Sequence, residues 1–233
     1  MSREIAVVAG VGPGLGRALA QRLVQGGLQV ALLARNVARL GELASSIGPE
    51  ARPFACDLAD PDQVASTFDR IDRELGSPNC VVFNAGTYRP GAVLDISPQD
   101  FLDCWKIGCF AGLLVGQQAG RRMADRGSGT ILFTGATASL RGSARFVNLA
   151  SPKFALRAVA QSLARELGPR GVHVAHVIVD GQIRAPGRAP GDASAPDSQL
   201  EPSAIAEAYW QLHTQPRSAW TQELDLRPWV ERF

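Results

Sequence analysis

The sequence predicts one α/β domain in which a parallel sheet of seven strands carries helices on both faces. Two observations lead to this fold class. Short apolar segments alternate with helical segments along the whole chain, a pattern typical of a parallel sheet. The 233 residues also suffice for one complete hydrophobic core, so we predict a single domain over residues 1–233.

The first strand runs directly into a cluster of glycines. Residues 5–9 are all apolar, residues 17–24 have helical apolar spacing, and Gly10, Gly14 and Gly16 lie between them. Such a turn surrounds an anion with free backbone N–H groups and a helix N terminus, and a Cβ would block the close approach of a pyrophosphate. A tight structural turn is the alternative interpretation. The position immediately after a first strand favours dinucleotide binding.

The remaining elements follow in strand–helix order. We predict further strands at residues 29–33, 51–56, 80–83, 130–134, 172–179 and 223–226, and helices at residues 37–47, 60–75, 98–122, 151–167 and 204–212. Ser151 followed by Pro152 is a good N-cap and first-turn pair. We therefore expect that helix to begin there, with Lys153 in its first turn and Leu149 in the preceding loop.

Composition excludes several classes of function. Apolar residues make up 45% of the chain, charged residues 20%, and the net charge is +2, so nothing indicates a nucleic-acid partner. The four cysteines have no Cys-x-x-Cys spacing, which predicts reduced core thiols and no metal site. No apolar run is long enough for a membrane span, and no secretory leader precedes the first strand. We expect a cytoplasmic protein without membrane association.

Residues 181–202 differ from the rest of the chain. They contain Pro186, Pro190, Pro196 and Pro202 and few apolar residues. We predict a mobile loop that covers a substrate site at the carboxyl ends of the strands.

Three motifs occur in a fixed order. They are the glycine turn of residues 10–16, the tripeptide Asn84-Ala85-Gly86 after the fourth strand, and Lys153 after the fifth. With these motifs the chain resembles the short-chain dehydrogenase/reductase family over essentially its full length. The resemblance implies a doubly wound (Rossmann) sheet, a nicotinamide dinucleotide at its switch point, a small-molecule substrate, and association into a homodimer or homotetramer.

The resemblance also implies a cofactor site. It assigns cofactor contacts to Gly10, Gly12, Gly14, Leu15, Gly16, Arg35, Asp57, Leu58, Asn84, Ala85, Gly86, Lys153, Gly181 and Ile183. In this fold the end of the second strand meets the adenosine ribose, where a carboxylate would bind a free 2′-hydroxyl. Arg35 stands there instead and can pair with a 2′-phosphate, so NADP(H) is favoured over NAD(H). A solvated arginine at position 35 and an ordinary turn aspartate at position 57 are the alternatives.

The catalytic positions depart from the family pattern. Family members deliver a proton from a tyrosine four residues before the lysine, with a serine and an asparagine to help. Counting from Lys153 puts Leu149 at the tyrosine position, Ala136 at the serine position and Gly108 at the asparagine position. None of these side chains has an exchangeable proton, and no tyrosine occurs in residues 89–208. The resemblance is therefore to a divergent branch that keeps the lysine but lacks the tyrosine and serine.

Three residues remain as catalytic candidates. Lys153 is retained, Ser139 lies close to the expected serine, and Asp180 is a candidate substitute acid, with a surface turn aspartate as its alternative. We predict an NAD(P)-dependent oxidoreductase whose substrate needs little acid catalysis, such as an enone or an imine. The alternative is a non-catalytic NADP(H)-binding protein that senses cofactor state or supports a partner.

The long helix carries glycines at four-residue spacing. Gly108, Gly112, Gly116 and Gly120 form one narrow stripe. We expect close helix–helix approach across a subunit boundary at this stripe, and burial against the protein's own sheet is the alternative. His173 and His176 do not form a metal pair, because a strand directs residues three apart to opposite faces.

Overall fold

The computed structural model describes residues 3–185 and 197–231 and contains a seven-stranded, fully parallel sheet. The strands are β1 Ile5–Ala9, β2 Gln29–Ala34, β3 Ala51–Ala55, β4 Cys80–Phe83, β5 Gly129–Thr134, β6 Val172–Val179 and β7 Glu223–Leu226. Their order in the sheet is β3-β2-β1-β4-β5-β6-β7, so the winding reverses between β1 and β4. The predicted single doubly wound α/β fold is confirmed.

Helices cover both faces of this sheet. They are α1 Leu15–Gln25, α2 Val37–Ile47, α3 Pro61–Glu74, α4 Pro98–Trp105, α5 Ala111–Arg126, α6 Val147–Leu167 and α7 Pro202–His213. Buried side chains of α1, α2 and α7 pack on one face, and those of α3, α5 and α6 pack on the other. Each face thus has its own hydrophobic layer.

The central strands position the functional edge of the sheet. Every residue of β1, β4 and β6 is buried. β1 and β4 are accordingly continuous apolar runs rather than alternating ones, and β6 also buries His173 and His176. Because the strands are parallel, their carboxyl ends meet at one edge. The glycine turn after β1, Asn84 after β4 and Thr134 at the end of β5 therefore lie at the same edge.

The predicted helix over residues 98–122 is interrupted. A π-helical segment, Lys106–Phe110, separates α4 from α5, and α5 continues to Arg126. Gly108 lies inside that segment, and a Cβ there would come within 2.7 Å of the Pro152 Cβ. Two features account for the local widening of the helix at Gly108: the low helix propensity of glycine and the close approach of Pro152.

Helix α6 begins earlier than the sequence predicts. It starts at Val147, because the N–H groups of Leu149 and Ala150 both donate to the Phe146 carbonyl oxygen, at 2.9 and 2.8 Å. Pro152 consequently lies inside the helix, where its missing N–H removes one backbone hydrogen bond. The prediction of a start at residue 151 is wrong, and Leu149 lies in the first turn rather than in a loop.

The glycine stripe faces the protein's own chain. A Cβ at each of its four positions would approach a side chain of α6 more closely than 3.0 Å. The pairs are Gly108–Pro152, Gly112–Leu156, Gly116–Leu163 and Gly120–Leu167. The expectation of an intersubunit contact at this stripe is therefore wrong, because the space beside the glycines is already filled by α6.

The predicted loop over residues 181–202 falls partly outside the described residues, since residues 186–196 are not among them. Its two described ends are joined by a parallel bridge between Ile183 and Leu200. The Arg184 N–H donates to the Leu200 carbonyl at 2.9 Å, and the Leu200 N–H donates to the Gln182 carbonyl at 2.8 Å. Across the described residues, none of the helices has the length and apolarity that crossing a membrane requires.

The stripe gives a stability prediction with an internal control. Gly41→Ala in α2, where a Cβ meets nothing within 4 Å, should raise the free energy of unfolding by about 0.5–1 kcal/mol through helix propensity. Gly112→Ala should instead lower it by about 1 kcal/mol, because overpacking against Leu156 and Phe83 outweighs the same gain. Denaturant titration measures both, and equal stabilisation by the two substitutions would contradict the packing described here.

Candidate active site

The turn after β1 is held against the loop after β4. Gly10 has a φ of +95°, and a Cβ at this residue would lie 2.5 Å from the Ala85 backbone nitrogen. The Asn84 side-chain amide donates to the Gly10 carbonyl oxygen at 3.0 Å. Only glycine allows both this backbone conformation and this approach, so the two loops form one continuous floor.

Helix α1 begins at this floor with an uncapped N terminus. Its N-cap is Gly14, no side chain accepts a hydrogen bond from its first turn, and that turn holds no acidic residue. A Cβ at Gly12 or Gly14 would meet nothing within 4 Å, so both glycines border open space. Free N–H groups, a positive helix end and open space together fit a phosphate group.

Two adjoining cavities extend from this floor along the ends of β1, β2 and β4. One, of about 240 Å³, is lined by residues that include Val11, Gly12, Arg35, Asn36 and Arg39. The other, of about 290 Å³, is lined by residues that include Gly10, Asp57, Leu58, Asn84, Ala85 and Gly86. Gly12 and Arg35 line both, so the cavities form one elongated crevice at the point where the winding reverses.

Two arginines stand at the β2 end of the crevice. Arg35 follows β2, and Arg39 lies in the first turn of α2, whose N-cap Asn36 accepts a hydrogen bond from the Arg39 N–H at 3.0 Å. Two guanidinium groups on one wall make this end of the crevice positive, as an additional phosphate on a ribose would require.

Asp57 is fixed at the β3 end of the crevice. One carboxylate oxygen accepts from the Ala59 N–H at 3.0 Å, and the Asp57 N–H donates to the Gln63 side-chain oxygen at 3.0 Å. Leu58 beside it is buried and lines the same cavity. The turn therefore holds the Asp57 carboxylate at the wall of the crevice. Contact between this carboxylate and an adenine remains a prediction.

Lys153 lies in the second turn of α6 and is almost fully buried, with 6% of its surface exposed. Its Nζ donates to the Thr134 carbonyl oxygen at 2.6 Å, at the end of β5. Burial lowers the pKa of Lys153 to about 8, because a charged amine loses its hydration there. A Cβ at Gly86 would lie 3.7 Å from the same Nζ, so the lysine reaches the floor of the crevice.

A third cavity, of about 520 Å³, opens beside the first turn of α6. Its lining is mainly apolar and includes Ala136, Ala138, Phe146, Leu149 and Val179. Polar groups come from Tyr88, Thr137, Arg141, Ser143 and Gln182. The rings of Tyr88 and Phe146 lie 5.1 Å apart on one side of it. The cavity has the size and character of a small-molecule site.

Ser139 is not part of this lining. It is completely buried, and its hydroxyl oxygen accepts from the Ala136 N–H at 3.1 Å and lies 3.4 Å from His176 Nε2. His176 Nδ1 in turn lies 3.8 Å from Glu223, and burial lowers the pKa of His176 to about 4. A hydroxyl with no exposed surface cannot contact a substrate. Ser139 instead holds the turn after β5.

Asp180 follows β6 and is also buried, with 3% of its surface exposed. One carboxylate oxygen accepts a short hydrogen bond from the Thr137 hydroxyl, and the other lies 3.5 Å from the Arg227 guanidinium. Both oxygens are therefore engaged. The carboxylate joins the turn after β5 to the segment after β7.

The remaining assigned residues have supporting positions. Gly181 has a φ of +141°, lines the third cavity, and would place a Cβ 2.7 Å from Pro228. Leu15, the first residue of α1, packs in the core, and Ile183 lies in the bridge to Leu200. Across the described residues, His, Cys, Asp and Glu side chains form no group of three that could hold a metal ion.

The model of the family described as short chain dehydrogenase matches residues 4–188. The chain belongs to that family. Among curated relatives, the human 3-oxoacyl-[acyl-carrier-protein] reductase is 27% identical over 180 residues, 77% of this chain and 76% of its own. The D-threitol dehydrogenase of Mycolicibacterium smegmatis is 30% identical over 174 residues, 73% of this chain and 67% of its own.

Solved structures of short-chain dehydrogenases superpose on nearly the whole chain. One from Rhodopseudomonas palustris is 36% identical with a TM-score of 0.84 and covers 97% of this chain and 99% of its own. A metagenomic short-chain oxidoreductase in complex with NADP is 27% identical with a TM-score of 0.85, and 99% of each chain is covered. The chain thus has the fold of the short-chain dehydrogenases, a family of oxidoreductases that bind NAD(P).

Sequence reasoning missed four residues that line the crevice or the third cavity. Arg39 lies in the first turn of α2, four residues after Arg35, and the predicted start of that helix at residue 37 was the signal that could have found it. Tyr88, Arg141 and Phe146 lie in segments without periodicity, and only the folded chain brings them to one cavity.

The buried lysine predicts a pH dependence. The pKa of Lys153 is about 8 in the fold against an ordinary value of 10.5, so between these values the unfolded chain binds more protons and stability rises with pH. Lys153→Met should therefore be more stable relative to wild type at pH 7 than at pH 10.5, by on the order of 2 kcal/mol.

Chemical denaturation across this pH range measures the difference between the two proteins. Lys106→Met is the matched control, because Lys106 is the exposed lysine of the π-helical segment. Its difference from wild type should stay constant. A Lys153→Met difference that is also constant would contradict the burial described for Lys153.

Proposed function

We propose that this protein is an NADP(H)-dependent oxidoreductase that reduces a small molecule whose acceptor atom needs little acid from the protein, such as an enone or an imine. The observation that carries the proposal is the composition of the 520 Å³ cavity. Leu149, four residues before Lys153 on the same helix, contributes hydrocarbon to its wall, and so does Ala136.

The crevice supports the choice of cofactor. The uncapped N terminus of α1 and the glycines around it would hold the pyrophosphate, and Arg35 with Arg39 would hold a 2′-phosphate. When bound, the reduced nicotinamide supplies a hydride. Lys153 reaches the floor of the crevice beside Gly86, where its ammonium group would bind ribose hydroxyls and place a positive charge near the reacting atoms.

The chemistry follows from what Leu149 cannot do. A leucine has no exchangeable proton at any pKa, and losing a positioned general acid costs about 10²–10⁴ in rate. A conjugated alkene accepts hydride at carbon and can take its proton from water afterwards, and an iminium needs no proton on the acceptor. Ser139 and Asp180 take no part in proton transfer here, because the first binds the Ala136 N–H and the second binds the Thr137 hydroxyl and Arg227.

A second function rests on the same hydrocarbon wall. A protein that binds NADP(H) without catalysis, as a sensor or as support for a partner, would need the crevice and no acid. The 520 Å³ cavity favours the enzyme, because cofactor binding alone requires no second cavity of this size.

Cofactor preference gives a direct binding test. Arg35→Ala should weaken NADPH binding about 10- to 100-fold by removing a charge-assisted pair, and should change NADH binding by less than about threefold. Calorimetric titration measures both. Arg73→Ala, an exposed arginine at the end of α3 outside the crevice lining, is the control and should change neither. A wild-type preference for NADH would contradict the role given to Arg35.

Substrate screening tests the reaction. NADPH oxidation with enones and imines should exceed oxidation with simple ketones, and the double variant Leu149→Tyr/Ala136→Ser should raise ketone reduction about 10²-fold or more. Tyr88→Phe should keep the enone rate within about threefold, because the proposal needs no phenol. Turnover of none of the three classes, with tight NADPH binding, would favour the non-catalytic function.

A further inference from the structure

The third cavity contains one formal charge. Its described lining has no lysine, aspartate or glutamate, and Arg141 is its one arginine. Asp180, between the lining residues Val179 and Gly181, is buried and paired with Arg227. The electrostatic character of the cavity therefore depends on the Arg141 guanidinium.

That guanidinium has no partner among the residues that the structure describes, in which no hydrogen bond or ion pair involves its side chain. Arg89, which follows the lining residue Tyr88 in the chain, is by contrast paired with Asp100 and lies 3.8 Å from Asp103. The exposed Arg141 thus presents a cation that the fold leaves unpaired, at a cavity whose other lining residues are apolar or uncharged.

The backbone that carries Arg141 is fixed. Its N–H donates to the Thr137 carbonyl oxygen at 3.2 Å, which closes the short turn after β5. The Thr137 hydroxyl is bound to Asp180, and Ser139 holds the start of the same turn through the Ala136 N–H. A guanidinium on a preorganised turn loses less freedom on binding than one on a free loop, which favours a specific contact.

We propose that this cavity takes substrates that carry a carboxylate and an apolar body, with the carboxylate paired to Arg141 and the body against Phe146, Leu149 and Val179. This inference rests on the proposed function, in which the cavity is the substrate site. A planar guanidinium binds a carboxylate through two parallel hydrogen bonds. A single cation also balances the single charge of a carboxylate, whereas a phosphate dianion would leave charge uncompensated against apolar walls.

A pair of probes that differ only in charge tests the proposal. Benzoylpropionate and its methyl ester share an aromatic ketone body, and calorimetry measures their binding with and without saturating NADP⁺. Wild type should bind the acid at least about tenfold more tightly than the ester. Arg141→Gln should abolish that preference and leave ester binding within about twofold of wild type.

Arg145→Gln is the matched control, because it removes the same charge from the same loop at a residue outside the cavity lining. It should weaken acid binding by less than about threefold. Equal binding of acid and ester by wild type, or equal losses in the Arg141 and Arg145 variants, would overturn the carboxylate assignment.

The enone benzoylacrylate separates this inference from the proposed function. Arg141-dependent binding of the acid probe without NADPH oxidation by benzoylacrylate or its ester would overturn the proposed reaction and leave the anion site standing. If NADPH is oxidised as fast, and at as low a KM, with the benzoylacrylate ester as with the acid, the proposed reaction stands and the carboxylate assignment is overturned. If NADPH is oxidised faster with the acid than with the ester at low concentration, and Arg141→Gln removes this advantage by raising the KM for the acid, the result supports both the reaction and the carboxylate assignment.

Discussion

Helix α6 lies where it does because the facing positions of the helix beside it have no side chains. Pro152, Leu156 and the two later leucines of α6 occupy the space next to four glycines, and a Cβ at any of these would lie within 3.0 Å of them. Close-packed interiors do not absorb such overlaps without movement. The first two turns of α6 carry Leu149 and Lys153, so the position of both depends on this contact.

The end of β5 joins the two layers of the molecule. The Thr134 carbonyl accepts from Lys153 of α6, and the Thr134 hydroxyl accepts from the buried Tyr209 of α7 at 2.8 Å. Burial raises the pKa of Tyr209, as it lowers that of Lys153, because both lose the hydration that favours their charged forms. One strand end thus fixes a helix on each face of the sheet.

The sequence was sufficient for the sheet and for the floor of the crevice. Short, mainly apolar segments alternating with helical ones marked the strands, and the glycines of residues 10–16 with Asn84 marked the loops that meet there, because both signals are local. The start of α6 was not predictable from Ser151-Pro152, since four earlier residues, 147–150, extend the helix, and the N–H groups of two of them donate to the Phe146 carbonyl. Tertiary packing overrode a local signal.

The same difference explains the glycine stripe and the third cavity. Four-residue spacing shows that two elements approach closely, but not whether the second belongs to the same chain. Arg141 and Tyr88 are 53 positions apart in the chain numbering, and their shared cavity exists only after the β4, β5 and β6 loops come together. Non-local placement of this kind leaves no periodicity in the sequence.

The pairing of Asp180 with Arg227 has a consequence for how the protein is made. Arg227 comes after β7, the last of the seven described strands in chain order, so Thr137 and Asp180 leave the ribosome before it. During synthesis the Asp180 carboxylate must stay hydrated until its cationic partner arrives, because burying it alone is costly. The crevice, whose lining comes from the first half of the chain, can therefore form on a nascent polypeptide before the third cavity is complete.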